Sequence, residues 1–276
     1  MIAALPRLHA VTDDRIVAEG RLAARAGRLA AVAGPELAVQ LRTRSLKGEA
    51  LLDLARALQA ALAPHGSWLV LNDRADVARG AGARAVVSGR TGLEAADVRR
   101  AAPGLAVGRS VHGAAEARAA AGEDADFLVA GAVFATASHP NGTPAGLAVV
   151  RDAAATGLPV IAIGGVTVER TPEVLAAGAS GVAVIRGLWD AADPAAAARD
   201  FLAALGPRGA LALTVNGEPG EVPPGTTLDA LLARLGLDPR AVVVEHNRRI
   251  VRRDGLAAAA LAEGDAVEIV HLVGGG

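Results

Sequence analysis

The sequence predicts an α/β chain in two parts. Residues 1–206 read as a (β/α)8 TIM barrel, residues 207–210 as a linker, and residues 211–276 as a small α+β unit of β-grasp (ubiquitin-like) type. Three observations carry this reading. Eight short apolar runs alternate with longer Ala/Leu/Arg stretches of helical period between Leu8 and Leu205. The runs are nearly continuously apolar, as parallel strands covered on both faces must be. The pattern then breaks at "GPRGA", Gly206 to Ala210, and gives way to strand-like runs around one short helix.

The eight runs are "LHAVT", "LAVQLR", "SWLVLN", "RAVVS", "LAVGRSV", "DFLVAGAVF", "LPVIAIGG" and "SGVAVIRG", each followed by a helical stretch. Eight such units in about 200 residues match the small end of the (β/α)8 fold. A doubly wound open sheet is the alternative architecture, but no G-x-G-x-x-G follows the first run. Beyond the linker, "LALTVNGEPGEVPPG" reads as a hairpin turning at Asn216-Gly217. "TTLDALLARLG" reads as a helix capped by Thr226 or Thr227 and ended by Gly236. "AVVVEHNRRIV" and "DAVEIVHLV" complete a strand-strand-helix-strand-strand unit whose last strand runs into Gly274, Gly275 and Gly276.

Composition excludes several function classes. Cysteine is absent, which removes disulfides, thiolate metal sites and a cysteine nucleophile. The net charge of -1 gives no strong attraction to nucleic acid or to anionic lipid. No apolar run approaches the ~20 residues that span a bilayer. The segment "MIAALPRLHAVTDD" lacks the basic start and long apolar core of a signal peptide, so a cytoplasmic protein is expected. Residues of 52% hydrophobic but 2% aromatic type suit a core packed from small aliphatic side chains.

In a (β/α)8 barrel the C-terminal ends of the strands build the functional site. The polar residues collected there are Gln40, Arg42 and Arg44 after the second run, and Asn72, Asp73 and Arg74 after the third. Arg109, Ser110 and His112 end the fifth, and Thr136, Ser138 and His139 follow the sixth. Gly164 and Gly165 end the seventh run, and Ile185, Arg186 and Gly187 the eighth. Backbone N–H groups after the last two strands are where this fold receives a phosphate, and Arg186 adds a positive charge there. His112 and His139 lie on rim loops, where an imidazole of near-neutral pKa can give and take a proton. His9, His65, His246 and His271 read as structural or exposed, and no histidine pair has the H-x-x-x-H spacing of a zinc site.

Several of these segments, taken in order, resemble the thiamine-phosphate synthase and thiazole tautomerase superfamily: "VQLRTR", "LVLNDRADVA", "VGRSVHGAAEA", "GAVFATASHPNGTPAGL", "VIAIGGV" and "GVAVIRGLW". The C-terminal unit resembles thiamine sulfur-carrier proteins through "VNGE", "GTTLDALLARLGL", "VVVEHNRRIV" and "EGDAVEIVHLVGGG". The resemblance implies a barrel that handles thiazole phosphate, beside a carrier whose Gly275-Gly276 tail accepts sulfur as a thiocarboxylate. An adenylating or sulfur-transfer enzyme and a thiazole synthase are the implied partners of that tail; homo-oligomerisation is left open.

Within the superfamily, the synthase pattern asks for "QLRxK", "ND", "GQxD" and "PTxTK" to hold a diphosphate and magnesium. This chain keeps Gln40, Asn72, Asp73, Ser110 and Thr136, but has Arg44 and His139 at the lysine positions and Gly92 at the second aspartate position. Since Mg²⁺ is held by one or two carboxylates plus phosphate oxygens, these departures favour the tautomerase. That reading needs no cofactor: Arg42 and Arg44 hold the substrate carboxylate, and His139 or His112 moves the proton. Tautomerases with a histidine in the sixth strand depart from this chain, which has Ala132 there. The alternatives are a synthase using magnesium through Asp73, and a non-catalytic barrel that docks the carrier.

Overall fold

The computed structural model describes residues 5–89, 91–136, 143–206, 209, 211–222, 226–262 and 264–271. The chain divides into two compact units, Met1–Gly206 and Pro207–Gly276. The first is a closed barrel in the order β1 to β8. Its strands are β1 (Leu8–Val11), β2 (Leu37–Leu41), β3 (Trp68–Asn72), β4 (Ala85–Ser88), β5 (Ala106–Val111), β6 (Phe127–Gly131), β7 (Val160–Ile163) and β8 (Gly181–Val184). Each lies within a run singled out from the sequence. All neighbours pair in parallel, and closure is made by β1 against β8, with Leu8 opposite Val182.

The helices are α1 (Asp14–Ala18), α2 (Leu22–Ala33), α3 (Gly48–Leu62), α4 (Ala75–Ala81), α5 (Ala95–Ala101), α6 (Ala114–Gly122), α7 (Ala148–Ala154), α8 (Thr171–Ala176), α9 (Arg186–Trp189) and α10 (Pro194–Leu205). Their apolar faces lie on the outer side of the barrel. In α3, Leu51, Ala55, Leu58 and Leu62 recur at three- and four-residue spacing and are all buried. Among the described residues no helix is long and apolar enough to cross a membrane.

Strand alternation sorts the barrel residues into two cores. Val11, Ala38, Trp68, Val70, Ala85, Val87, Ala106, Phe127, Val129, Ile161 and Ala183 fill the interior. Leu8, Ala10, Leu37, Val39, Leu69, Leu71, Val107 and Val111 face the helices. Phe127 is the bulkiest interior side chain that is fully buried. It fills the space that Gly108 leaves open, where a Cβ would lie 2.4 Å from the ring.

The second unit is a five-stranded sheet in the order β10-β9-β13-β11-β12. It comprises β9 (Leu211–Val215), β10 (Glu218–Val222), α11 (Leu228–Arg234), β11 (Val242–His246), β12 (Arg249–Val251) and β13 (Ala266–His271). The parallel β9–β13 pair at its centre, with antiparallel strands outside, is the β-grasp arrangement. Asn216 (φ 52°) and Gly217 (φ 79°) make the expected hairpin turn. Thr227, not Thr226, caps α11, accepting from the Ala230 amide at 3.3 Å.

One element differs from expectation. "AVVVEHNRRIV" is two strands, because Asn247 and Arg248 both take positive φ and reverse the chain. The buried Asp265 carboxylate holds this turn. It accepts from His246 Nε2 at 2.6 Å, Asn247 Nδ2 at 2.7 Å and the Ala262 amide at 2.8 Å. Burial pushes the Asp265 pKa up, but the donors, Asn247 foremost, outweigh it and hold the group below the ordinary range.

A wholly buried histidine gives the barrel a pH-dependent stability. His9 sits inside the barrel, its Nε2 3.0 Å from the Pro6 carbonyl and its ring edge-on to Phe127 at 6.2 Å. Burial, partly offset by the Pro6 carbonyl, pushes its pKa down to about 4. The folded state therefore favours neutral imidazole, and stability falls as pH drops from the ordinary value of 6.5 toward 4. Denaturant unfolding at pH 7 and pH 4.5 is expected to show a loss of order 2–3 kcal/mol. Histidine 9 replaced by glutamine should flatten that slope; an unchanged slope would exclude His9 as its source.

Candidate functional site

At the C-terminal ends of the strands, alternation sends every second side chain into the barrel. Gln40 continues the inward register of Ala38, and Asn72 that of Val70. Gln40 is 3% exposed and donates from Nε2 to Asn72 Oδ1 at 2.5 Å, while its Oε1 is buried with no partner among the described residues. An unpaired buried acceptor costs about 1–3 kcal/mol, so it marks a place where a donor, from water or ligand, belongs. Ser110 is likewise inward by register with Ala106 and Gly108, and half-buried.

Asp73 follows directly with φ 57°, an uncommon conformation for a non-glycine residue and one that Asp tolerates better than most. Its amide donates to the Val87 carbonyl at 3.0 Å, and its Oδ1 accepts from the Gly89 amide at 2.7 Å. This explains the glycine found where a second aspartate was sought. A Cβ on Gly92 would lie 2.6 Å from Asp73 Oδ1, so the chain seats the Asp73 carboxylate against that glycine. Among the described residues no group of three or more acidic or histidine ligands occurs. Asp73 could offer one carboxylate to a cation, but the described residues form no cage made by the protein.

The other side of the mouth is built from backbone. Gly164 (φ 102°) and Gly165 (φ 62°) adopt conformations that L side chains rarely take. They also pass so close to the loop after β6 that a Cβ would lie 2.7 Å from Ala132 Cα and 2.5 Å from the Ala135 carbonyl. Arg170 donates to the Gly165 carbonyl at 3.1 Å and stacks over the Phe134 ring at 4.5 Å. After β8, Ile185 precedes α9, Arg186 is exposed, and Gly187 lies against Val184. Trp189 anchors α9: its indole N–H donates to the Val11 carbonyl at 2.8 Å.

Arg42 and Arg44 stand on the loop after β2, half-buried and exposed respectively. Thr12 and Arg42 bond each other twice, hydroxyl to carbonyl and amide to hydroxyl, both at 2.9 Å. Asp14 gathers the rest of the loop, accepting from the Thr43 hydroxyl at 2.5 Å, the Arg44 amide at 2.8 Å and the Ser45 amide at 2.9 Å. These donors, led by Thr43, hold the Asp14 carboxyl well below the usual range. Asp14 and Arg170 were not singled out from sequence; Arg109 was, as a polar residue at the end of β5, but its contacts with Leu93 and Glu123 were not foreseen.

The histidine assignments fare differently from the rim. His112 is exposed at the start of α6, where Glu116 Oε2 accepts from its amide at 2.9 Å and lies 2.9 Å from Nδ1. That pairing turns the ring toward the helix it begins. Thr136 is half-buried on the loop after β6, while Ser138 and His139 lie outside the described residues, as do Gly275 and Gly276.

The Asp14 contacts give a direct check on loop organisation. Asp14→Ala is expected to cost about 1–2 kcal/mol and to speed amide exchange at Arg44 and Ser45. The ion's contribution is present above about pH 4 and is lost as pH falls through its depressed pKa. Native exchange rates at both amides in the variant would contradict the assignment.

Comparison with known proteins places this geometry. Residues 8–188 match the thiamine monophosphate synthase family, and residues 213–276 match the ThiS family. The thiamine-phosphate synthase of Methanoculleus marisnigri is 41% identical over 197 residues, covering 70% of this chain and 92% of that protein. A putative thiamine-phosphate synthase of Geobacter sulfurreducens is 41% identical over 184 residues, covering 64% and 85%. Among solved structures, the thiamine phosphate pyrophosphorylase of Pyrococcus furiosus superposes with a TM-score of 0.64 at 28% identity, covering 72% of this chain and 95% of that one. These findings support the synthase alternative better than the preferred tautomerase reading. The substitution at Gly92 leaves Asp73 in place, and Mg²⁺ is in general held by one or two carboxylates plus phosphate oxygens. The chain thus belongs to the thiamine monophosphate synthase family and carries a C-terminal domain of the ThiS family.

Proposed function

We propose that the barrel is a thiamine-phosphate synthase, joining a hydroxymethylpyrimidine diphosphate to a thiazole phosphate, and that the second domain carries sulfur. The observation that supports the first part is the division of the mouth into two unlike halves. One half is backbone, from Gly164, Gly165 and Ile185 to Gly187, which suits a phosphate monoester. The other is the polar cluster of Gln40, Asn72, Asp73 and Ser110, with Arg42 and Arg44 beside it, which suits a larger and more highly charged partner.

In the joining reaction the bond from the hydroxymethyl carbon to the diphosphate oxygen breaks, and a bond from that carbon to the thiazole forms. The diphosphate leaves with developing negative charge. Asp73 would hold magnesium at that end, and the ion, when bound, supplies charge neutralisation for the leaving group. Arg42 and Arg44 add fixed positive charge on the same side. Gln40 presents an open acceptor at the floor of the mouth, where a ring N–H₂ group can be oriented. Thr136 stands on the loop after β6, and in chain order it and the following Ser138 and His139 come between the two halves.

For the carrier domain, support comes from the ThiS-family match, which extends to Gly276. Gly275 and Gly276 have no side chains and suit a tail that lies extended in a partner's narrow channel. The Gly276 carboxylate would be adenylated with ATP by an activating enzyme and converted to a thiocarboxylate, then delivered to a thiazole-forming synthase.

Two assays test the proposal. The full chain, given both substrates and Mg²⁺, is expected to release diphosphate only when both substrates are present; absence of release under these conditions overturns the synthase. Mass spectrometry after incubation with an adenylating, sulfur-donating enzyme is expected to show one sulfur replacing one oxygen on the C-terminal peptide. A variant with one residue added after Gly276 should lose that modification and keep the barrel activity. Unaltered sulfur loading of the extended variant would contradict the carrier role of Gly276.

A further inference from the structure

We propose that Arg109 is a positioning residue that clamps the loop after β4 against the Asp73 carboxylate, and thereby sets the geometry of the diphosphate end of the mouth. Its kinetic consequence rests on the synthase reading, whereas its structural consequence rests on geometry alone.

Arg109 is an anomaly of register. Alternation along β5 sends Val107, Arg109 and Val111 outward, and both valines are buried in the apolar layer beneath the helices. An arginine between them is costly for stability unless its donors are used. Its side chain is 12% exposed. One terminal nitrogen, Nη1, donates to the Leu93 carbonyl at 2.8 Å. Its Nε lies 3.5 Å from Glu123 Oε2, just past the end of α6. Both of those atoms are buried without a hydrogen-bond partner among the described residues. A cavity of about 80 Å³ lies beside them, between β5 and α6, bordered also by Ser110 and Glu116. That space admits a water able to bridge the guanidinium and the carboxylate. The arginine is thus held by polar contacts, with one hand on α6 and the other on the loop.

The loop passes the constraint on to Asp73. Leu93 follows Gly92, whose amide donates to the Gly89 carbonyl at 3.0 Å and closes a tight turn. The Gly89 amide in turn donates to Asp73 Oδ1 at 2.7 Å. Gly92 is packed with no slack, since a Cβ there would lie 2.6 Å from Asp73 Oδ1 and 3.2 Å from both Gly89 N and Gly89 O. A shift at Leu93 therefore moves the turn, and the turn moves the carboxylate. A guanidinium suits the task because its planar donors can reach two acceptors in fixed directions, which an ammonium cannot match.

The test uses the full chain with Arg109→Met and Arg109→Lys. By hydrogen exchange, the Met variant is expected to exchange the Gly89 and Gly92 amides about ten-fold faster than the native chain, from loss of a charged hydrogen bond. Its KM for the diphosphate-bearing substrate should rise about ten-fold, while kcat and the KM for thiazole phosphate change less than about three-fold. The Lys variant, which keeps one donor, should recover part of both effects. Native exchange at Gly89 and Gly92 in a folded Met variant overturns the clamp. So does an equal rise in KM for both substrates. Faster exchange in a chain whose native form shows no joining activity sinks the synthase reading and leaves the clamp standing.

Discussion

Closure of the barrel is the constraint on which the rest of the structure depends. Once β8 pairs with β1, every strand residue is committed to the interior or to the helix layer by its parity. The interior is filled by Val11, Trp68, Val70, Phe127, Val129 and Ile161 around the buried His9, and further polar side chains enter it where the strands end. Gln40 and Asn72 occupy that last inward layer, and they hydrogen-bond each other because β2 and β3 are adjacent. The unpaired oxygen of Gln40 follows from the same geometry, as the layer below offers it no donor.

The mouth is made definite by contacts that cross from one βα unit to another. Asp14 gathers the loop after β2, and Arg170 ties the loop after β7 to Phe134 in the loop after β6. Trp189 fastens α9 to the end of β1, and Arg25 reinforces it from α2 by donating to the Trp189 carbonyl. Each device uses a side chain from one segment to satisfy a backbone group of another. Rim loops secured in this way can hold polar groups in place without substrate, which lowers the reorganisation a reaction requires.

Much of this was legible in the sequence, and the failures are informative. Apolar runs of five to nine residues located all eight barrel strands, because burial on both faces leaves little choice of residue. The inward positions of Gln40, Asn72 and Ser110 were legible through fold geometry, since strand alternation fixes the face on which each lies. The β11–β12 turn was not, because its positive-φ residues are Asn247 and Arg248 and no glycine marks it. Asp14 was invisible as a functional residue, and Arg109 was visible only as a polar residue at a strand end, because their partners lie 14 or more residues away, on other elements. The preference for an isomerase came from counting carboxylates: Gly92 was read as a loss, whereas in the fold it is the surface against which Asp73 rests.

The central claim is that the two halves of the mouth bind two different phosphate groups, with Asp73 serving the diphosphate side. Calorimetric titration of the full chain measures this without turnover, using Mg²⁺ with inorganic diphosphate, then thiazole phosphate, on native protein and on Asp73→Asn. The account expects two non-competing sites, with diphosphate binding dependent on Mg²⁺ and weakened at least about ten-fold by the substitution, while thiazole phosphate binding is retained. Competition between the two ligands for one site, or diphosphate binding indifferent to both Mg²⁺ and Asp73, would contradict it.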